Sequence, residues 1–271
     1  QFGVDTTEIL RQGQRLGTYY LESGAAMRAS KVVYDRAASS IAEIQPGDVD
    51  WRKVFDGADW FHFTGITPAI SKSAAAACTE AAKAAKELGL TVSADMNYRK
   101  NLWSPEEAQA TMIPMMEHVD VSIGNEEDAE KCLGVAAEGV DVTTGEIDPN
   151  AYRPVVEELV SKFGFKKVAI TLRESQSADD NDWSAIYFDG DEILVGKKYP
   201  VRIVDRVGGG DSFCAAMIYG LNQDGWDSRQ VLDFAVAASA MSHTFHGDFN
   251  LVSVKEVMGV AGGDTSGRVQ R

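Results

Sequence analysis

From residue 39 onward the chain alternates short apolar runs with longer helical stretches, and that alternation is what most limits its fold. Asp59 to Thr64, Thr91 to Met96, Val119 to Ile123, Val168 to Leu172 and Ser184 to Phe188 read as strands. Ser71 to Leu88 is rich in alanine, has no internal Gly or Pro and stops at Gly89, as a helix should. Ser104-Pro105-Glu106-Glu107 opens another helix, with Ser as the cap, Pro in the first turn and Glu107 completing a capping box. Tyr152 to Phe163, Asp211 to Asn222 and Ser228 to Phe245 carry helical spacing, and Ser253 to Glu256 is a further capping-box start. Strands and helices in this order make βαβ units, so the expected fold is α/β, a parallel sheet with helices on both faces. Ahead of it, Arg15 to Glu22 and Lys31 to Arg36 read as a two-stranded ribbon around Gly24 and Ala25. Ala136 to Pro149 and Glu174 to Asp182 are the longest stretches read as irregular. The domain reading is a β-ribbon appendage at 15–38 on an α/β core at 39–271.

Composition narrows the function. With 26 Lys plus Arg against 41 Asp plus Glu the net charge is −15, which leaves no basic stripe for a nucleic acid. Anionic small ligands remain open, since they meet local Arg and backbone N–H groups rather than net charge. No apolar run reaches the ~18 residues that span a bilayer, and the opening residues carry no signal-peptide pattern. Cys78, Cys132 and Cys214 form no CxxC pair, which points to the reducing cytoplasm.

The chemistry concentrates in Asp205-Arg206-Val207-Gly208-Gly209-Gly210-Asp211, which runs straight into an apolar helix. Consecutive glycines let backbone approach a ligand, and a helix start offers unpaired N–H groups with a positive dipole end. Together they make a cradle for an anion, with Asp211 placed to take a proton from an attacking hydroxyl. On its own the segment also reads as a glycine turn with an aspartate cap. It is neither a Walker loop nor a GxGxxG fingerprint. His243 and His246 are three apart, but without a closing ligand set they read as packing or capping rather than metal. Cys214 reads as a small core residue.

This segment resembles the Asp-Thr-x-Gly-Ala-Gly-Asp signature of the ribokinase-like, or PfkB, carbohydrate kinases. Gly17 to Glu22, Tyr34-Asp35-Arg36, Asn97-Tyr98-Arg99 with Leu102-Trp103, Thr171 to Ser175 and Gly247 to Asn250 are similar to the branch acting on 2-keto-3-deoxygluconate. The resemblance implies a ribokinase-like three-layer domain with a mostly parallel sheet and a small β lid. It implies ATP and Mg²⁺ as cofactors and transfer to the 6-hydroxyl of the sugar acid. By the same likeness Asp211 is the base, and Gly208, Gly209 and Gly210 form the anion hole. Tyr19, Tyr34, Arg36, Arg99 and Asp248 hold the sugar acid, while Asn97, Asn125, Arg173 and the glycines Gly208 and Gly210 approach ATP. Asn125-Glu126-Glu127-Asp128 resembles an Asn-x-x-Glu element that organises Mg²⁺ through water, with Asp128 in the place of Glu. The ribbon is implied to pair with its counterpart in a homodimer, or a higher oligomer.

The residue chemistry agrees. A sugar acid carries a carboxylate, and the planar fork of Arg meets it bidentately. A fructokinase would give Arg36 and Arg99 no carboxylate to meet. A 5-dehydro-2-deoxygluconate kinase and a non-catalytic sugar or nucleotide sensor are the other readings. The sequence departs from the family at Arg206 for Thr, Gly209 for Ala and Asp128 for Glu. Relative to the family pattern, on the order of 60 residues, about two βα units, are expected upstream of Gln1.

Overall fold

The computed structural model describes residues 2–136 and 149–267; residues 137–148, most of the first stretch read as irregular, lie outside the described residues. A ribbon of β1 (Thr18–Glu22) and β2 (Lys31–Asp35) stands apart as its own antiparallel sheet. The core follows as α1 (Trp51–Val54), β3 (Trp60–Thr64), α2 (Ile66–Ile70), α3 (Lys72–Glu87), β4 (Thr91–Asp95) and α4 (Pro105–Met115). It continues through β5 (Val121–Asn125), α5 (Asp128–Leu133), α6 (Arg153–Phe163), β6 (Lys167–Ser175) and β7 (Asp180–Phe188). The last part is β8 (Ile193–Val195), β9 (Tyr199–Arg202), α7 (Gly209–Leu221), α8 (Ser228–Ser242) and α9 (Val254–Ala261).

Strands β3, β4, β5 and β6 are parallel neighbours in that order. Their inner residues are buried on both faces, as in β4, where Val92, Ser93, Ala94 and Asp95 are all buried. A strand wet on neither face needs helices on both. One layer packs Ala81 and Ala85 of α3, Met112 of α4 and Leu159 of α6 against the sheet. The other packs Phe213 and Met217 of α7 with Leu232 and Ala235 of α8. The helix starts follow their sequence signals: Ser71 caps α3, and Ser104 with Glu107, and Ser253 with Glu256, form full capping boxes.

The sheet is mixed beyond β6. Strand β7 pairs antiparallel with β6, and its far edge takes β8 and β9, also antiparallel. The polar run Glu174 to Asp182, expected to be irregular, is mostly this hairpin, with Ser175 opposite Asn181. Its burial alternates from Asn181 to Trp183, and Ser175 Oγ donates to buried Asn181 Oδ1 at 2.8 Å, so cross-strand pairing overrides a turn-like composition. Among the described residues no helix is long and apolar enough to cross a membrane.

The ribbon lies over the carboxyl ends of β4, β5 and β6. Its tip docks on the β6–β7 turn, where Ala178 N donates to Ala26 O at 2.8 Å and Ala26 N to Asp179 Oδ1 at 2.9 Å. Its base is held by Arg15, which pairs with Asp35 at 2.8 Å. The register opposes Tyr19 to Tyr34 and Leu21 to Val32. Those two pairs line the space beneath, so Tyr20 and Val33, one residue out of step, face away.

Candidate active site

A cavity of about 810 Å³ opens between the ribbon, the ends of the parallel strands and the start of α7. Open α/β sheets bind ligands at this end because the loops there leave a crevice. All the residues that the family resemblance assigns to the site line it: Tyr19, Tyr34, Arg36, Asn97, Arg99, Asn125, Asp128, Arg173, Gly208, Gly209, Gly210, Asp211 and Asp248.

The glycine loop forms its floor. Gly208 sits at φ +83°, a left-handed conformation that favours glycine, and it starts α7. A Cβ on Gly208 would run into the Asp248 carbonyl, and one on Gly209 into the His243 ring, whereas Gly210 faces open space. Asp205 ties the loop down, accepting from Val207 N at 3.2 Å and from Gly247 N at 3.1 Å. Ser239 Oγ donates to the Gly209 carbonyl at 2.7 Å. Asp211 is exposed in the first turn of α7. The result is an amide-lined, positively polarised helix start with a free carboxylate beside it.

The ribbon closes the cavity from above. Tyr19 Oη donates to Asp248 Oδ2 at 2.9 Å, linking lid to core. Burial, that bond and the nearby charges of Asp248, Asp205 and Asp211 push the Tyr19 phenol up to about 12. The Arg36 guanidinium lies 4.6 Å over the Tyr34 ring, and its Nη1 is buried with no hydrogen-bond partner. A buried cationic N–H without an acceptor is costly unless a ligand supplies one.

The wall is built from the ends of β4 and β5. Asn97 takes φ +43° and donates its amide to Asp95 Oδ2 at 3.0 Å and Thr64 Oγ1 at 3.2 Å. These bonds hold the kink that carries the chain from β4 to Arg99, and Asn97 lines the cavity as well. Asp128 is 1% exposed and accepts from Tyr98 N at 2.9 Å and Asn125 N at 2.8 Å. Both of its oxygens serve backbone, so it clamps two strand ends together. Glu126 is the neighbouring carboxylate, its side chain 8% exposed and 3.8 Å from Arg173.

Burial dominates the wall's electrostatics. Asp95 is pushed up to about 8 by burial and by the charges of Asp128 and Asp211. Burial raises Glu126 to about 7 against the pull of Arg173, and Asp128 to about 6 against its two N–H donors. Asp95 and Glu126 escaped sequence reasoning. The usable signal was position, because a charged residue ending an apolar parallel strand faces the ligand crevice.

His243 and Cys214 also line the cavity. His243 Nδ1 lies 2.7 Å from the Ser239 carbonyl and its ring packs on Trp183 at 4.8 Å. Since a carbonyl only accepts, Nδ1 carries the proton, and burial lowers the pKa of the ring. Among the described residues no group of three or more His, Cys, Asp or Glu could hold a metal ion.

Comparison with known proteins places this geometry. The model of the pfkB family of carbohydrate kinases matches residues 1–253. A 2-dehydro-3-deoxygalactonokinase of Haloferax volcanii is 31% identical over 253 residues, covering 93% of this chain and 72% of the relative. A 5-dehydro-2-deoxygluconokinase of Clostridium perfringens is 26% identical, covering 94% of this chain and 71% of the relative. The crystal structure of 2-dehydro-3-deoxygluconokinase from Thermotoga maritima superposes with a TM-score of 0.91 at 50% identity, covering 97% of this chain and 77% of that one.

Proposed function

The chain belongs to the pfkB family of carbohydrate kinases, and from that premise we propose that it transfers the γ-phosphoryl of ATP to the 6-hydroxyl of 2-keto-3-deoxygluconate, a 2-dehydro-3-deoxy sugar acid. The observation that carries the acid substrate is Arg36. Its orphaned Nη1 and stacked guanidinium sit on the lid of the cavity that the glycine loop and Asp211 also line. A substrate carboxylate answers that unmet donor, and Arg99 offers a second fork from the wall.

In this reading Asp211 accepts the proton of the attacking hydroxyl. The N–H groups of Gly208, Gly209 and Gly210 and the α7 dipole hold the charge that spreads over the transferring phosphoryl. Tyr19, Tyr34 and Asp248 orient the sugar. Asn125 and Arg173 stand where the nucleotide's phosphates would approach. The amide cradle and its flanking cations fit a triphosphate well. Among the described residues no cluster of side chains makes a cage for Mg²⁺, so nucleotide oxygens and water would supply most of its ligands. Bound with ATP, the ion neutralises phosphate charge; the proton transfer belongs to Asp211. Three free, buried cysteines suit an enzyme of the reducing cytoplasm.

The second reading, a 5-dehydro-2-deoxygluconokinase, is favoured by the Clostridium relative and shares the acid substrate. ADP release measured across 2-keto-3-deoxygluconate, its galactonate epimer, 5-keto-2-deoxygluconate and fructose separates them. The proposal expects the highest kcat/KM on 2-keto-3-deoxygluconate and little turnover of fructose. Fructose turned over as well as the keto acids would overturn the carboxylate assignment.

A further inference from the structure

Arg206 stands next to the glycine loop, where the family signature carries Thr, and its side chain lines the same cavity. It is half-buried, and Nη2 donates at 2.6 Å to a single acceptor, the backbone carbonyl of Ala178. No carboxylate pairs with it among the described residues, and the charge nearest in effect is another cation, Arg173. Burial and the Arg173 charge hold the Arg206 pKa below its usual value. Arg173 itself is only loosely paired, 3.8 Å from Glu126. Two guanidiniums that face one cavity, one without a counterion, repel each other until an anion comes between them.

We infer that Arg206 is a nucleotide-binding residue, which with Arg173 grips the polyphosphate of ATP beside the anion hole. Arg is suited to this, because its fork meets phosphate oxygens while one nitrogen stays on the Ala178 carbonyl. That carbonyl belongs to the β6–β7 turn on which the ribbon tip docks. A competing role is therefore mechanical, with Arg206 bracing the turn and through it the lid. The two roles predict different losses.

The inference rests on ATP as the phosphoryl donor, and the test keeps the two apart. Binding of a non-hydrolysable ATP analogue, and of AMP, is measured by calorimetry for the parent, Arg206→Thr and Arg206→Lys, with KM for ATP and for the keto acid. A lost charge-assisted bond is worth about 10- to 100-fold in affinity. The expected result is that loss in Arg206→Thr for the analogue and for the ATP KM, with AMP binding and the keto-acid KM within about two-fold of the parent. Arg206→Lys should recover part of it by keeping the charge. Unchanged analogue affinity in Arg206→Thr overturns the inference, and so does a rise confined to the keto-acid KM, which would assign Arg206 to bracing the lid. A parent that binds no ATP analogue would instead remove the donor itself.

Discussion

Two aspartates share the cavity in opposite surroundings, and each makes its own prediction. Asp211 is exposed at the helix start, free to receive a proton and beside the amides that would hold a phosphoryl group. Asp211→Asn keeps size and hydrogen bonding but removes the base, so turnover should fall by ~10²-fold or more while ATP and sugar binding survive. Stopped-flow turnover with parallel calorimetry checks this, and activity within a few-fold of the parent would take Asp211 out of the mechanism. Asp95 is 7% exposed, and the fold lifts its pKa from 3.8 to about 8. Between those values the unfolded chain has lost the proton that the folded chain still holds, so Asp95 costs increasing stability as pH rises from about 4 to about 8. Asp95→Asn cannot ionise and can still accept from Asn97. The melting temperature of the parent should therefore fall, relative to that of the variant, between pH 5 and pH 8. Parallel curves for the two proteins would show that Asp95 titrates in the fold as it does in the unfolded chain.

At the scale of elements, the glycine loop shows how local backbone serves the site. Gly208 and Gly209 are packed against Asp248 and His243, while Gly210 has open space where a Cβ would go. Gly208→Ala should lower the melting temperature and raise the keto-acid KM by displacing Asp248 and its bond to Tyr19. Gly210→Ala should not lower the melting temperature, because a Cβ in this first turn meets nothing and alanine restricts the unfolded chain more than glycine does. Thermal melts of the two variants side by side test it, and equal losses would refute the steric difference. This loop was legible in the sequence because it is local: three glycines, an aspartate and an apolar helix stand in one run. So were β3 to β6 and the capped helices, where burial and capping leave periodic signals. Strands β8 and β9 were not, because three- and four-residue edge strands exist only through the β7 edge they pair with. Asp95 and Glu126 were missed for a related reason: what brings them together is the parallel register of separate strands. Asp128 was matched by spacing to an Asn-x-x-Glu element, yet the bonds that engage its carboxylate come from Tyr98 and Asn125, and the Tyr98 contact has no trace in local sequence.

At the scale of the whole molecule, the outer face of the ribbon needs cover. A two-stranded sheet is marginal by itself in water, and here its inner face already borders the cavity. The outer face presents Tyr20 and Val33, 65% and 51% exposed, opposite each other in the register. Fully burying such side chains gives roughly 1.5–3 kcal/mol each, and association costs ~4–15 kcal/mol, so two residues per copy about offset that cost and leave little surplus. Leu16 and Met27, 81% and 95% exposed at the two ends of the ribbon, double the apolar contribution. In a two-fold pair each of these side chains counts twice, since the same patch meets itself. We therefore propose a homodimer in which the ribbons pack outer face to outer face and steady each other as lids. Because Tyr19 and Tyr34 line the cavity from the same strands, and Arg36 from the residue after β2, breaking the pair should weaken sugar binding before it touches nucleotide binding. Light scattering at micromolar concentration should give a dimer mass for the parent. Tyr20→Glu combined with Val33→Glu should give a monomer whose keto-acid KM rises several-fold at unchanged ATP KM. A parent that is monomeric at that concentration, with full kinase activity, would mean that the lid closes within its own chain.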